Sequence, residues 1–199
     1  MVCQSSEWMG SLALESLQHA GERGVLLGGW AGLSKDHIPD HLQDFCRTNV
    51  IFVPSAPHEW LFPQCACIVH HGGSGTTASS ARSGRPTIIT PLMGDQFDFA
   101  NGINAIGCGI GLGQLSGVKS TELGDAIRQC LDNQDIISKA EETGEKLRME
   151  DGCENFCTIF DDWLVNGIAS GEWLKKQEAL IAKCQESWEE QQKSSCVLS

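Results

Sequence analysis

Short apolar runs alternate with longer segments in which apolar residues recur every three or four positions. Apolar and β-branched runs bounded by turn-forming residues are typical of strands, and the longer segments are typical of helices. The runs predict strands at 24–30, 49–55, 66–71, 86–91 and 108–112. The longer segments predict helices around 8–20, 57–64, 74–83, 95–106 and 120–132.

This alternation predicts an α/β fold. Buried strands joined through helices form a parallel sheet with helices on both faces. The expected fold is therefore a Rossmann-like, doubly wound parallel sheet with ligands at the carboxyl ends of its strands. After residue 113 the strand pattern stops, and a helical extension is predicted over 134–149, 152–166 and 171–192.

The last predicted helix carries an apolar stripe at helical spacing. The stripe consists of Trp173, Leu180, Ile181, Cys184 and Trp188. Packing on the core of this chain or on a neighbouring domain is one interpretation. Docking against a domain outside this chain is the other.

Composition and charge exclude several classes of function. The 199 residues carry 14 basic and 26 acidic side chains, a net charge of −12, without a basic block, which argues against a nucleic-acid partner. No run approaches the ~18 apolar residues that span a membrane, and the first residues do not resemble a signal peptide. The ten cysteines have no zinc-finger spacing and indicate small buried residues in a reducing, cytoplasmic compartment.

The stretch HHGGSGTT, residues 70–77, joins a predicted strand to a predicted helix. The first turn of a helix has unpaired N–H groups and a positive dipole end, and glycines let an anion approach that backbone. Ser74, Thr76 and Thr77 add hydroxyl donors, and His71 adds a ring N–H. The stretch matches neither the dinucleotide fingerprint nor the P-loop. A phosphate site and a structural glycine turn therefore both remain open from the residues alone.

Two further strand ends carry candidate ligand groups. In PLMGDQFDFAN, Asp95 and Gln96 follow a strand. A carboxylate beside an amide suits the hydroxyl groups of a sugar. The alternative is that Asp95 caps the following helix. In SAPHEWLFPQC, His58 and Trp60 follow another strand and could contact a base or simply pack. Together the three strand ends fit a sugar nucleotide.

These stretches, with GERGVLLGGWAGL before them, resemble the C-terminal, donor-binding domain of family 1 glycosyltransferases, and among these the sterol 3β-glucosyltransferases of fungi and plants. The resemblance runs from about residue 7 to residue 165. It implies the C-terminal half of a two-domain GT-B fold and an inverting hexosyl transfer from UDP-glucose to the 3β-hydroxyl of a sterol, with no cofactor or metal ion.

The resemblance also implies roles for individual residues. It implies that the glycine stretch binds the diphosphate and that Asp95 and Gln96 bind the sugar hydroxyls. The loop with His58 and Trp60 is implied to bind the uracil. The residues implied for the diphosphate are His71, Gly73, Ser74, Gly75 and Thr76. The acidic FDDW at 160–163 is then a solvated helix face and no metal site.

The chain departs from this pattern at its N-terminal side. The catalytic base and the acceptor pocket of such enzymes lie in an N-terminal domain that this sequence does not include, so no catalytic residue is assigned. The central first strand of the donor domain also falls before residue 1. The expected organisation is a partial UDP-sugar-binding domain over 1–166, followed by a helix and short tail over 167–199. A donor-binding subunit of a split enzyme, or an enzyme for another lipid or natural-product acceptor, are the alternatives.

The C-terminal residues Cys196-Val197-Leu198-Ser199 fit a farnesylation signal. The preceding WEEQQKSS lacks the basic cluster that commonly strengthens a single lipid anchor. The motif predicts weak, reversible attachment to a membrane surface through Cys196.

Overall fold

The structure is a computed structural model that describes residues 5–29, 32–35 and 38–196, with the backbone alone for 189–196. The chain forms two compact units, Met1–Met149 and Glu150–Ser199. The functional boundary expected at residue 166 remains a prediction.

The first unit contains the strands, and each lies inside a predicted run. They are β1 (Gly24–Leu27), β2 (Val50–Val53), β3 (Ile68–His70), β4 (Thr87–Ile89) and β5 (Gly109–Gly111). Every strand pairing among the described residues is parallel, with Gly24 opposite Val50, Ile68 opposite Thr87 and Thr87 opposite Gly109. The strands are shorter than predicted because the runs include the loop residues that leave the sheet at their carboxyl ends.

The strands of the described residues form two sheets, β1-β2 and β3-β4-β5. A doubly wound sheet places its first strand between the second and fourth. In this chain β1 takes the place of the second strand and β3 takes the place of the fourth. These two strands are not paired with each other. The predicted fold is therefore confirmed, with a break at the position of the central strand.

The helices of the first unit agree closely with the predicted segments. They are α1 (Ser6–Ala20), α2 (Gln43–Asn49), α3 (His58–Leu61), α4 (Ser74–Ser83), α5 (Gln96–Ile106), α6 (Ser120–Asp132) and α7 (Gln134–Met149). Only α2 was not predicted, because its seven residues are too few to show a helical period.

The core lies on both faces of the larger sheet. Ile88 and Ile89 are neighbours in β4 and both are fully buried, and successive strand residues point to opposite faces. Ile88 packs with Leu12 of α1 and Ile127 of α6, whereas Ile89 packs with Ile103 of α5. Helices therefore cover both faces, as the doubly wound fold requires.

Helix α1 connects the two sheets. Leu12 belongs to the core cluster around Ile88, and Leu14 belongs to the cluster that contains Leu26 of β1. Leu17 packs against both clusters. Since β1 and β3 do not pair, α1 holds the smaller sheet to the same body as the larger one.

The second unit consists of helical segments with exposed apolar side chains. These segments are α8 (Gly152–Asp162), a π-helical stretch (Trp163–Ala169) and α9 (Glu172–Cys196). Aromatic rings follow one another through Phe156, Phe160, Trp163 and Trp173, with centroids 5.6, 5.6 and 6.4 Å apart. The stripe on α9 is exposed, from 40% at Trp173 to 63% at Trp188, so the described residues do not cover it. No helix in the described part is long and apolar enough to span a membrane.

The cysteines differ between the two units. All eight described thiols are free. Cys46, Cys108 and Cys130 are buried in the first unit, as the sequence indicates, but the thiols of the second unit are exposed. The side chain of Cys196 and residues 197–199 lie outside the described residues, so the membrane-attachment motif stays a prediction.

Candidate functional site

The candidate ligand groups lie in loops at the carboxyl ends of parallel strands. Open α/β folds bind ligands at the carboxyl ends of their strands; here β2 belongs to the smaller sheet, and β3 and β4 belong to the larger one. Three loops matter here: the loop after β2, the glycine loop (residues 71–75) after β3, and the Asp-Gln loop (residues 91–96) after β4.

The glycine loop ends in a helix terminus with unpaired donors. Gly73 precedes α4 without a side-chain cap, and the first helical hydrogen bond runs from Thr77 N to Gly73 O at 2.8 Å. The N–H groups of Ser74, Gly75 and Thr76 therefore precede the helical ladder. They form the donor array that an anion requires.

The side chains at this terminus are not equivalent. Ser74 is exposed and Thr76 is half-buried. Thr77 is buried, and its hydroxyl donates to Gly73 O at 3.0 Å. Thr77 is therefore not the free donor that the sequence suggests, and it stabilises the first turn of the helix.

Gly72 has two separate reasons to be a glycine. Its φ is +89°, in the region that favours glycine. A Cβ there would lie 2.7 Å from Ile89 Cγ2 and 3.2 Å from Gln96 O. The Asp-Gln loop thus approaches Gly72 so closely that a side chain at Gly72 would meet Gln96. A Cβ on Gly75, in contrast, would meet no atom within 4 Å.

The histidines of the stretch have different environments. His71 is exposed. Its Nε2 lies 2.6 Å from the position that a Cβ of Gly73 would take. His70 accepts a hydrogen bond from Gly72 N on Nδ1 at 2.9 Å, which leaves the ring proton on Nε2. That Nε2 is buried and has no partner among the described residues.

His70 is therefore a candidate donor that the sequence analysis did not assign. An unpaired buried donor costs about 1–3 kcal/mol, so a ligand oxygen at this position would relieve a real penalty. In the sequence, His70 lies inside the predicted strand 66–71, and the donor role is implied only for its neighbour His71 beside the glycines. The structure shows that His70 is the last residue of β3.

Burial, reinforced by His71 and His58, lowers the pKa of His70 to about 4. Unfolded chains bind a proton at this histidine below about pH 6.5, but the folded state keeps it neutral down to about pH 4. The free energy of unfolding should therefore fall as the pH drops through this window, by at most about 1.4 kcal/mol per pH unit from this group.

This slope can be measured by urea denaturation between pH 4.5 and 7, followed by tryptophan fluorescence. In His70→Asn, the side-chain oxygen can still accept from Gly72 N but does not titrate, so the slope should become shallower. His41→Asn is the control for the loss of a histidine at an exposed position, where the ring lies 3.9 Å from Glu15, and it should change the slope less than His70→Asn does. Equal slopes for the original chain and His70→Asn would contradict the assignment.

The Asp-Gln loop presents a free carboxylate. Asp95 is exposed and precedes α5, yet it makes no side-chain cap hydrogen bond, so the helix-cap alternative is not what the geometry shows. Gln96 is half-buried, and its Oε1 accepts from Leu92 N at 2.7 Å and from Met93 N at 3.2 Å. Asp95 is thus free to accept from a ligand, whereas Gln96 is partly engaged within its own loop.

His58 and Trp60, the two residues assigned to the loop after β2, have different environments. The ring of His58 stacks on Phe62 with centroids 4.5 Å apart and planes 11° apart. Trp60 is 64% exposed and has the open aromatic face that a base platform needs. Arg85 donates to Pro63 O at 2.9 Å and fixes the end of this loop to the start of β4.

A cavity of about 450 Å³ lies at the carboxyl ends of β1 and β2. Its described lining includes Gly28, Gly29, Phe52 and Lys35. The sequence analysis did not identify this cavity because its lining comes from two separate loops. Like the three loops, this cavity lies at the carboxyl ends of strands. It offers the side chain of Lys35 and a space lined by glycines.

Within the described residues, no group of three or more His, Cys, Asp or Glu side chains could hold a metal ion. In the glycine loop, the donors available for an anion are the backbone N–H groups of the helix terminus and the ring N–H of His70.

Comparison with known proteins agrees with this geometry. The family model of the erythromycin biosynthesis protein CIII-like C-terminal domain matches residues 35–153, more than half of the chain. A sterol 3-beta-glucosyltransferase of Kluyveromyces lactis is 36% identical over 152 residues, which are 76% of this chain and 12% of that protein. A sterol 3-beta-glucosyltransferase of Arabidopsis thaliana is 36% identical over 143 residues, 71% of this chain and 22% of that protein. The chain thus spans about a tenth to a fifth of the length of these relatives.

Solved structures show the same fold. Phytolacca americana UGT2, complexed with UDP-2-fluoro-glucose and pterostilbene, matches with a TM-score of 0.66 at 19% identity. The match covers 80% of this chain and 39% of that protein. The resemblance inferred from the glycine stretch is confirmed, and the chain belongs to the erythromycin biosynthesis protein CIII-like C-terminal domain family of family 1 glycosyltransferases.

Proposed function

We propose that this chain is the donor-binding half of a UDP-glycosyltransferase that transfers glucose from UDP-glucose to the 3β-hydroxyl of a sterol. The observation that carries the proposal is the contact between the glycine loop and the Asp-Gln loop at Gly72. It brings an array of unpaired N–H donors beside a free carboxylate, which suits a diphosphate next to a sugar.

Each loop has one task in this proposal. The N–H groups of Ser74, Gly75 and Thr76 bind the diphosphate, and Gly73 lets it approach. The hydroxyl groups of Ser74 and Thr76 and the imidazoles of His70 and His71 add further donors. Asp95 accepts from sugar hydroxyls, and Trp60 stacks on the uracil, with His58 supporting the loop through Phe62. The imidazole N–H of His70 and the helix terminus stabilise the charge that grows on UDP as it leaves, so the proposal needs no metal ion.

The sterol acceptor is supported by the names of the relatives. The acceptor and the base that removes its proton are proposed to belong to a domain outside this chain. Product analysis with the full-length enzyme tests this part: a sterol glucoside supports it. A glucoside formed only on another acceptor, such as a stilbene of the kind bound by Phytolacca americana UGT2, would replace the sterol.

The donor assignment is tested by titration calorimetry with UDP and UDP-glucose. The titrations use the chain itself and an extended chain. In the extended chain, the segment that precedes the matched region of the Kluyveromyces lactis relative is joined to the N-terminus of this chain. Loss of a hydrogen bond to a charged group costs about 1.5–3 kcal/mol, roughly ten- to a hundredfold in affinity. His71→Ala should weaken both ligands, whereas Asp95→Asn should weaken UDP-glucose by this factor and leave UDP nearly unchanged.

Asp98→Asn is the matched control. It removes the same charge from an exposed carboxylate in the first turn of α5 and should change neither affinity. If Asp95→Asn lowered the affinity for UDP and UDP-glucose equally, the division of sugar and phosphate between the two loops would be wrong.

A further inference from the structure

The carbonyl oxygen of the Gln96 side chain is already occupied. Its Oε1 accepts from Leu92 N at 2.7 Å and from Met93 N at 3.2 Å. This closes the turn in which Gly94 has a φ of +60°. Only the amide NH₂ of Gln96 remains to act on a ligand, and it can only donate.

A second glutamine holds the same turn from the other side. Gln114, in the loop after β5, donates from Nε2 to Leu92 O at 3.4 Å. The backbone of this loop runs alongside, since Leu115 N donates to Pro91 O at 2.8 Å. The peptide groups on both sides of Leu92 are therefore bound by glutamine side chains.

We propose that Gln96 and Gln114 are positioning residues that clamp Leu92 and thereby set where Asp95 meets the donor sugar. This inference rests on the proposed function of the Asp-Gln loop. Gln114 is not among the residues proposed to contact the diphosphate, the sugar or the uracil. It acts on the donor site through its hydrogen bond to Leu92. Gln96 has two roles: its oxygen holds the loop, and its NH₂ donates to a sugar hydroxyl oxygen.

The contact geometry gives the clamp a specific consequence. The main-chain oxygen and Cβ of Gln96 lie 3.2 and 3.3 Å from the Cβ position at Gly72, so the clamped loop rests against the glycine loop. The clamp fixes the distance between Asp95 and the diphosphate donors. Its loss should weaken recognition of the sugar and leave recognition of the nucleotide intact.

The affinity test uses Gln114→Met in the extended chain. Loss of one neutral hydrogen bond should lower the affinity for UDP-glucose about three- to tenfold, while the affinity for UDP changes less than about twofold. Gln129→Met, at an exposed position of α6, is the matched control and should change neither. A Gln114→Met protein that binds both ligands like the original would overturn the role of Gln114.

A second measurement requires no ligand. Hydrogen exchange at the Leu92 and Met93 amides should be slow in the original chain and in Gln96→Glu, because a carboxylate still accepts both bonds. It should be at least about tenfold faster in Gln96→Met, which has no acceptor. Equal exchange in Gln96→Glu and Gln96→Met would overturn the clamp.

The two measurements separate the inference from the proposed function. If the unaltered extended chain bound neither UDP nor UDP-glucose, the proposed function would fail and the donor role of the clamp with it. If the unaltered chain bound both and the variants behaved like it, only the clamp would be wrong.

Discussion

Gly72→Ala should weaken the binding of both UDP and UDP-glucose by more than about thirtyfold while the protein still folds. The new methyl group would lie 2.7 Å from Ile89 Cγ2 and 3.2 Å from Gln96 O, and it would sit on a backbone with φ +89°. That conformation costs a non-glycine residue about 1–2 kcal/mol. Relief of the contacts requires that the glycine loop and the Asp-Gln loop separate, so both halves of the site lose their geometry at once.

The measurement is titration calorimetry beside circular dichroism of the same samples. We expect an affinity loss of more than about thirtyfold for each ligand, from about 2 kcal/mol of strain together with displaced donors. Gly102→Ala is the control, because Gly102 lies within α5 and a Cβ there meets nothing within 4 Å. A folded Gly72→Ala protein with unchanged affinities would show that the contact between the loops is not part of the site.

A strand supplied between β1 and β3 should raise the stability of the first unit by several kcal/mol. Such a strand would pair with the free edge of each neighbour, and each hydrogen bond contributes about 0.5–1.5 kcal/mol net. It would also cover apolar side chains of the edge strands, including Val25 and Val69, which are now 41% and 43% exposed. Burial of apolar side chains at about 1.5–3 kcal/mol each offsets the cost of ordering the strand.

The extended chain described above provides the test. Its Tm should exceed that of the 199-residue chain by at least about 10 °C, since about 1 kcal/mol shifts the Tm of a domain of this size by roughly 2–8 °C. An extension with two prolines in its centre is the control, because proline cannot donate to the ladder. Equal melting temperatures for the two extensions would mean that the break is not filled by a paired strand.

The fold could be predicted from the sequence because its signals are local. The runs around Ile68, Ile88 and Ile110 are short, apolar and bounded by turn residues, and each became a strand. Helix α4 kept its predicted bounds because Gly73 and Gly84 stand at its two ends. The break between the sheets also followed from the expected strand order.

The site could be predicted only in part, because its chemistry depends on contacts across the fold. Sequence spacing located Asp95 and the helix terminus, but it could not show that the Thr77 hydroxyl is bound to Gly73 O. It also gave no sign that Gln96 Oε1 is occupied, or that burial leaves His70 Nε2 without a partner. Such outcomes depend on side-chain rotamers and on neighbours distant in the sequence.

The position of α1 has a consequence for how the chain folds as it is synthesised. Its partner α6 lies far along the sequence; His19 and Asp125, which meet at 2.8 Å, are 106 residues apart. Contacts of such long range form late. The apolar face of α1 therefore emerges from the ribosome before α6, and the interval between them is roughly 5–20 s at about 5–20 residues per second. During this interval the nascent chain offers a chaperone an amphipathic helix that has not yet met its partner.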